Sequence, residues 1–329
     1  MKKFINQIDD LLVESLSGFA AAHHDLVSLH FDPNYLCRAQ KANNKVALVS
    51  GGGSGHEPLH SGFIGYGMLD AACPGHVFTS PTPDQMLAAA EAVECGKGVL
   101  FIVKNYAGDI MNFEMAAEML PFDNATVITS DDVAVENSTY TTGRRGVAGT
   151  VIVEKVVGSL AETGASLGAC KALGDKVNSR TASMGVALTS CTVPAAGRPT
   201  FDIGETDLEM GVGIHGEPGR RREAMRPADA IVADLVAAIL EHLKPTRGSE
   251  VLLMINGFTG TPLMELYLLY HSAAKLLVSH GLKITRSLVG DYTTSLEMAG
   301  ASVTVCLLDD EIRQHWDTPV HTPALRWGR

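Results

Sequence analysis

The sequence predicts an α/β fold built as two α/β domains. The first, residues 1–185, has a largely parallel sheet flanked by helices; the second, 186–329, is a smaller mixed α/β domain. Three observations carry this reading. Short continuous apolar runs such as Val99-Leu100-Phe101-Ile102-Val103 read as strands buried on both faces, and they alternate with helical patterns. After Ser190 the texture changes to short β-like pieces that bracket a glycine-rich turn. A chain of 329 residues, 46% of them hydrophobic, is long enough for about two cores.

The elements follow in chain order. Met1 to Leu29 reads as an amphipathic helix and connector. Lys45 to Ser50 is a short apolar strand that runs into the turn Gly51-Gly52-Gly53-Ser54-Gly55-His56-Glu57-Pro58. Thr82-Pro83-Asp84 is a helix start: a capping residue, a proline at the first helical position, then an acid. That helix runs to about Glu94, and the glycines of Cys95-Gly96-Lys97-Gly98 stop it. The strand Val99–Val103 follows, then the loop Lys104–Asp109, a helix from about Ile110 to Leu120 and a strand near Ala125–Thr129. The loop Thr142-Gly143-Arg144-Arg145-Gly146 leads into a helix of about Val147–Glu162, and a second helix spans about Leu167–Asn178. Beyond the second glycine turn come a helix at Pro227–Leu243, a strand at Glu250–Ile255, a helix at Pro262–Ser279, and strands at Lys283–Val289 and Ala301–Leu307. No low-complexity linker marks the expected boundary near residue 185, so the two domains should share an interface.

Net charge −11 and pI about 5.5 argue against nucleic acid or an anionic membrane as partner. Six scattered cysteines without a Cys-x-x-Cys pair read as reduced core residues of a cytoplasmic protein. Acids interrupt the first ten residues, unlike a signal peptide, and no apolar run reaches the ~18 residues of a membrane helix.

The candidate site rests on a repeated device. Each of two glycine-rich turns carries one histidine beside a Glu-Pro: the first at His56, the second in Gly211-Val212-Gly213-Ile214-His215-Gly216-Glu217-Pro218. Bare backbone can approach a ligand closely, so the pair reads as one site assembled from distant segments. His56-Glu57-Pro58-Leu59-His60 matches H-E-x-x-H, but zinc chemistry needs both rings on one helical face, and Pro58 interrupts any helix between them. The glycine run is not a P-loop, and His56 stands where a dinucleotide fingerprint needs its third glycine. What survives is a row of backbone N–H groups able to face a polar ligand. Lys104 to Asp109 follow the carboxyl end of a strand, where open α/β sheets bind ligands. On its own pattern Lys104 reads as a solvated amine, and Asp109 reads equally as a base for a substrate hydroxyl or as a helix cap. The clusters Gly143-Arg144-Arg145-Gly146 and Arg220-Arg221-Arg222 read as solvated, or else as docking points for an acidic partner. The other histidines lack ligand spacing and read as structural.

The segments GGGSGHEP, FTSPTPD, VKNYAGDI, GRRGVAGT, TVPAAG, GVGIHGEPG and PVHTPALRWG, taken in order, resemble one family: the dihydroxyacetone-binding subunit of dihydroxyacetone kinase. The resemblance covers nearly the whole chain. It implies two α/β domains, a homodimer, and covalent capture of a short ketose as a hemiaminal on His215. It implies that Gly53, Ser54, Gly55 and Lys104 hold the substrate, and that Asp109 and His56 contact it and do acid/base work. It implies no metal and no cofactor in this chain. The nucleotide-binding domain of the single-chain, ATP-using members has no counterpart here. ADP or ATP with Mg is therefore expected on a separate subunit, recharged by a phosphocarrier protein as in the phosphotransferase-dependent branch. The stretch between Leu243 and Val251 is shorter than in some members, away from the site residues. The chemistry fits the residue types. Neutral imidazole suits reversible attack on a carbonyl, selects ketones over polyols, and fixes the free hydroxymethyl in one pose. A four-carbon ketose such as erythrulose would use the same residues, and so would a ketose-binding transcriptional co-regulator that transfers no phosphate. The resemblance leaves these open, together with phosphoenolpyruvate or ATP as the ultimate donor.

Overall fold

The computed structural model describes residues 2–136 and 141–329. In chain order the first half contains α1 (Leu11–Ala22), β1 (Val27–His30), β2 (Tyr35–Arg38), β3 (Ala47–Ser54), β4 (Ala71–Val77), α2 (Pro83–Val93), β5 (Val99–Lys104), α3 (Ala107–Met119), β6 (Asn124–Thr129), α4 (Gly149–Glu162) and α5 (Leu167–Ser179). The second half contains β7 (Thr181–Ala187), β8 (Asp207–Met210), β9 (Arg221–Ala224), α6 (Ala228–Leu243), β10 (Glu250–Gly257), α7 (Leu263–Ser279), β11 (Lys283–Gly290), β12 (Gly300–Leu308) and α8 (Asp310–Asp317), closed by the short pair β13 (Val320–His321) and β14 (Arg326–Trp327).

The first sheet has the order β1-β2-β4-β3-β5-β6. Its four inner and far strands, β4, β3, β5 and β6, run parallel, and β1 and β2 join antiparallel at the other edge. The second sheet has the order β11-β10-β12-β7-β8-β9, and only β10 and β11 are parallel.

Period-two alternation explains how these sheets stack. On β3 and β5, Leu48, Leu100 and Ile102 face α4 and α5, whereas Ala47, Val49, Val99 and Phe101 face α2 and α3. On β10 and β12, Leu252, Met254, Cys306 and Leu308 join the same cluster as α4 and α5, while Val251, Leu253, Val303 and Val305 pack under α6 and α7. The layers therefore run helices, sheet, helices, sheet, helices, and α4 lies in the shared middle. Its side chains are buried almost all round, as a helix apolar on every face should be. Its start is fixed from outside: the Asp131 carboxylate accepts the amides of Val147 (2.9 Å) and Gly149 (2.7 Å).

Several expectations change. The N-terminal helix is confined to Leu11–Ala22, and Val27–His30 turns into an edge strand. β4 was not expected, because Pro74 and Gly75 give Ala71–Val77 the texture of a loop; β3 supplies its partner through an equally glycine-rich stretch. β7 was also missed, and the division at residue 185 falls inside it, in a strand of the second sheet. α2 starts as read, with the reciprocal Thr82–Gln85 capping box and Pro83 at its first position. α3 begins three residues earlier than expected, at Ala107, so Asp109 lies in its first turn and Tyr106 takes the cap position. No helix among the described residues is long and apolar enough to cross a membrane.

Candidate active site between the two glycine turns

Parallel pairing of β3 with β5 sets their carboxyl ends side by side, which brings the first glycine turn next to Lys104. α3 follows at once and places Asp109 in the same corner. The second turn, between β8 and β9, closes over it from the other half. Glycine is required at two points of this closure. A Cβ on Gly53 would meet Thr79 N at 2.6 Å and the Phe78 backbone at 2.8 Å, and Gly216 has φ +78°. The result is a cavity of about 680 Å³ whose walls include Gly53, Phe78, Tyr106, Asp109, His215 and Glu217.

His215 is oriented by its neighbour two residues on. Its Nδ1 lies 2.9 Å from Glu217 Oε1, and its backbone N–H donates to Oε2 at 2.9 Å. A carboxylate only accepts, so Nδ1 carries the proton and Nε2 keeps its lone pair. Nε2 has no partner among the described residues. Burial alone would raise Glu217; its pairing with His215, with Arg145 behind, outweighs that and holds the carboxyl down to about 2. Three rings fence the imidazole: Tyr106 and His56, each with its centroid at 4.7 Å, and Phe78 at 5.2 Å, all edge-on.

His56 is 1% exposed, stacked on Phe78 at 4.9 Å, and its Nδ1 donates to the Thr294 carbonyl at 2.7 Å. That carbonyl fixes the tautomer, leaving Nε2 as a buried acceptor without a partner among the described residues. Burial, reinforced by the neighbouring His215 and Lys104, pushes His56 well below the usual histidine range, so it is neutral at pH 7. Lys104 is likewise 1% exposed, which corrects its reading as a solvated amine. Its Nζ donates to His60 Nε2 (2.7 Å) and to Gly51 O (3.2 Å) and stands 3.8 Å from Asp109 Oδ2.

The structure thus brings Gly53, His56, Lys104, Asp109 and His215 together from both halves. It separates Ser54 and Gly55, which line another cavity behind the turn, against α1. Ser54 Oγ is spent on the Gly75 carbonyl at 2.7 Å. The two histidines of the H-E-x-x-H match do not converge. His56 is tied to Thr294, and both ring nitrogens of His60 are engaged, Nδ1 by Glu154 (2.6 Å) and Ser50 (3.0 Å), Nε2 by Lys104.

Of the basic clusters, Arg145 is corrected, whereas Arg220, Arg221 and Arg222 stay exposed as read. Arg145 is fully buried and pairs with Asp132 (2.7 Å) while donating to the Gly211 carbonyl at the start of the second turn (2.7 Å). Arg220 donates to the Val133 and Ala134 carbonyls, and Arg221 and Arg222 pair with Glu223, Asp234 and Glu209 of the same chain. Sequence reasoning missed Glu217 as the partner of His215, although the shared Glu-Pro was in view. It assigned no role to Phe78 or Tyr106, although both lie in motifs quoted above, read Arg145 as solvated or as a docking point, and had no signal for Glu154.

Two α/β halves joined around a polar cavity that His215 and Glu217 line define a class: α/β proteins with a candidate small-molecule site at the seam of their halves. The comparisons make it particular. A family model described as the Dak1 domain matches residues 17–324, and the chain belongs to that family. It is 48% identical over 357 aligned positions to the PEP-dependent dihydroxyacetone kinase, dihydroxyacetone-binding subunit DhaK, of Escherichia coli K12, with 100% of both chains covered. Among solved structures it superposes on the dihydroxyacetone kinase operon co-activator Dha-DhaQ with TM-score 0.89 and 32% identity, covering 97% of this chain and 98% of that one. It matches the dihydroxyacetone kinase of C. freundii with TM-score 0.86 and 35% identity, over 98% of this chain and 60% of the other. The family is the one its motifs resembled, and the curated DhaK relatives are subunits of a transferase.

Proposed function

We propose that this chain is the dihydroxyacetone-binding subunit of a phosphotransferase-dependent kinase and that it holds its ketose as a hemiaminal on His215. The observation that carries the reading is the His215–Glu217 pair, which leaves an unpartnered Nε2 lone pair in a residue that lines the cavity. Nε2 forms the C–N bond to the ketone carbon as the C=O electron pair moves to oxygen, which takes a proton from solvent in the cavity. The Nδ1 proton returns to solvent by way of Glu217, leaving a neutral N-substituted imidazole and an ionised Glu217. The captured ketose then offers one hydroxymethyl to Asp109, which accepts its proton as the phosphoryl group arrives. Phosphoryl transfer depends more on such positioning than on a strong base. His56, held neutral with Nε2 as acceptor, assists proton movement at the same centre. Gly53 gives the ketose backbone to lie against, and Lys104 supplies the positive charge behind Asp109.

In this reading ADP or ATP with Mg resides on a separate nucleotide-binding subunit, and a phosphocarrier protein serves it in turn. The acidic chain acts in the cytoplasm, with neither nucleic acid nor membrane as partner. The exposed apolar face of α7, with Leu263, Met264, Tyr267 and Leu268, supports pairing with a second copy of the chain.

Intact-mass measurement with dihydroxyacetone tests the capture. The wild-type chain gains the ketose mass, and a folded His215→Ala protein does not; an adduct of equal yield in the variant would overturn the assignment. Likeness to a co-activator favours a second reading, a ketose-responsive regulator that transfers no phosphate. A coupled assay with the nucleotide subunit separates the two: phosphorylated product supports the kinase, and capture without transfer supports the regulator.

A further inference from the structure

The second histidine of the H-E-x-x-H match has no part in the chemistry above, yet it is wired into it. Glu154 projects from the middle of α4 and is 0% exposed. Its Oε1 lies 2.6 Å from His60 Nδ1, and His60 Nε2 accepts from Lys104 Nζ at 2.7 Å. Ser50 Oγ donates to the Ile102 carbonyl (2.6 Å), so toward Nδ1, 3.0 Å away, it offers only a lone pair. Every contact of His60 therefore demands one tautomer, with the proton on Nδ1. The line Glu154–His60–Lys104–Asp109 places a carboxylate at each end and a single ammonium inside.

We propose that Glu154 and His60 are positioning residues: Glu154, acting through the imidazole of His60, is the distant counter-ion that keeps Lys104 an ammonium and holds it against the glycine turn and Asp109. This rests on the kinase reading above and extends it to groups remote from the cavity. The proton count explains the coupling. If Glu154 is protonated and donates to Nδ1, the His60 proton moves to Nε2. Lys104 must then offer a lone pair instead of a proton, so charging one end and neutralising the other are linked events. The groups facing Lys104 are Asp109 from α3, Glu154 through His60 from α4 and the first turn, and His56 nearby. Burial lowers Lys104, and Asp109 and Glu154 act in the opposite direction. Burial raises Glu154 as well, and the Lys104 charge opposes that rise, so each ion holds the other in its charged form.

The test uses the full chain with its nucleotide-bearing subunit. Removing the Glu154 charge removes support for the ammonium, so Lys104 loses its proton at lower pH. In Glu154→Gln the high-pH fall of turnover should move down by about one unit or more, the usual effect of a nearby opposite charge. The ketose adduct on His215 should persist, so kcat changes more than KM. His60→Asn, whose amide is too short to touch both neighbours, should move the same limb, and the double variant should do no more than either single one. Glu154→Asp should restore part of the wild-type profile. A second measurement needs no activity: long-range proton–nitrogen spectra of histidine-labelled protein should show His60 protonated on Nδ1, and altered in Glu154→Gln. An unmoved limb in folded, adduct-forming Glu154→Gln and His60→Asn would overturn the proposal, as would a wild-type His60 proton on Nε2. Absence of any adduct in the wild-type chain would instead sink the kinase reading, and the tautomer measurement would then decide the relay alone.

Discussion

Replacing Glu217 by glutamine should cripple ketose capture while leaving the cavity in place. The carboxylate receives two donors at 2.9 Å, the His215 backbone N–H and the Nδ1–H, and it is only 3% exposed. A glutamine side chain of nearly the same shape has one acceptor and one donor. With its oxygen on the backbone N–H, its NH₂ faces Nδ1, so the imidazole must move its proton to Nε2 and surrender the nucleophilic lone pair. The loss is one charge-assisted hydrogen bond in the reactive tautomer, about 1.5–3 kcal/mol. At 1.4 kcal/mol per decade this weakens the adduct equilibrium roughly 10- to 100-fold. The assay is titration with dihydroxyacetone read by intact mass, with thermal unfolding as the control for structure. The pH dependence has a definite sign. Glu217 lies below its ordinary value of 4.5 in the folded chain, at about 2. Its stabilising interaction is therefore complete above about pH 4.5 and is lost only as pH falls toward 2. Wild-type adduct should not weaken on account of Glu217 between about pH 5 and 9. A Glu217→Gln protein that folds and captures ketose with wild-type affinity would refute the tautomer argument.

Three further outcomes are expected. Asp109→Asn should keep the adduct but lose roughly 10²–10⁴ in turnover, the usual contribution of a positioned acid/base group; since Tyr106 and not Asp109 occupies the cap of α3, a purely local helix effect would show up in melting and leave the rate alone. Arg145→Lys should cost several kcal/mol, about 3–5 where a buried pair is broken, because one ammonium cannot serve both Asp132 and the Gly211 carbonyl; denaturant midpoints measure it, and an unchanged midpoint would contradict it. Gly53→Ala should disturb the first turn, since its Cβ meets backbone and not a flexible side-chain end. Loss of melting temperature together with adduct is the expected pair, and retention of both would show that the turn yields.

Much of this molecule was legible in its sequence, for identifiable reasons. The strands β3, β5, β6, β10, β11 and β12 and the helices α2 to α7 announced themselves through apolar period and capping residues, which are local signals; α8 was not read. β4 did not, because Pro74 and Gly75 deny it strand texture and its stability comes from pairing with β3. β7 hid behind α5, where Thr181–Ala187 mixes small and polar residues that only burial between neighbouring strands makes sense of. At the site, glycine turns and histidines could be read as a pair because both sit in unusual local sequence. Glu154 and Arg145 could not: each looks like an ordinary charged residue until a partner far along the chain removes it from water. Lys104 was misjudged for the same reason, since its strand was read as ending before it and nothing local indicates that Gly51 and His60 will close over it.

The helix α4, buried between the two sheets, has a mechanical consequence. Two lobes with separate cores and a cleft between them can hinge, and a ligand is admitted when they swing apart. Here the central helix belongs to both lobes at once, and Leu252, Met254 and Cys306 of one sheet share a cluster with Leu48, Leu100 and Ile102 of the other. Swinging the lobes would tear that cluster open along its whole length. Most of the exposed residues on the cavity wall lie in 196–200, whereas the second glycine turn is largely buried and held by Arg145. If the histidine holds a short ketose as proposed, stiffness behind it turns capture into aim.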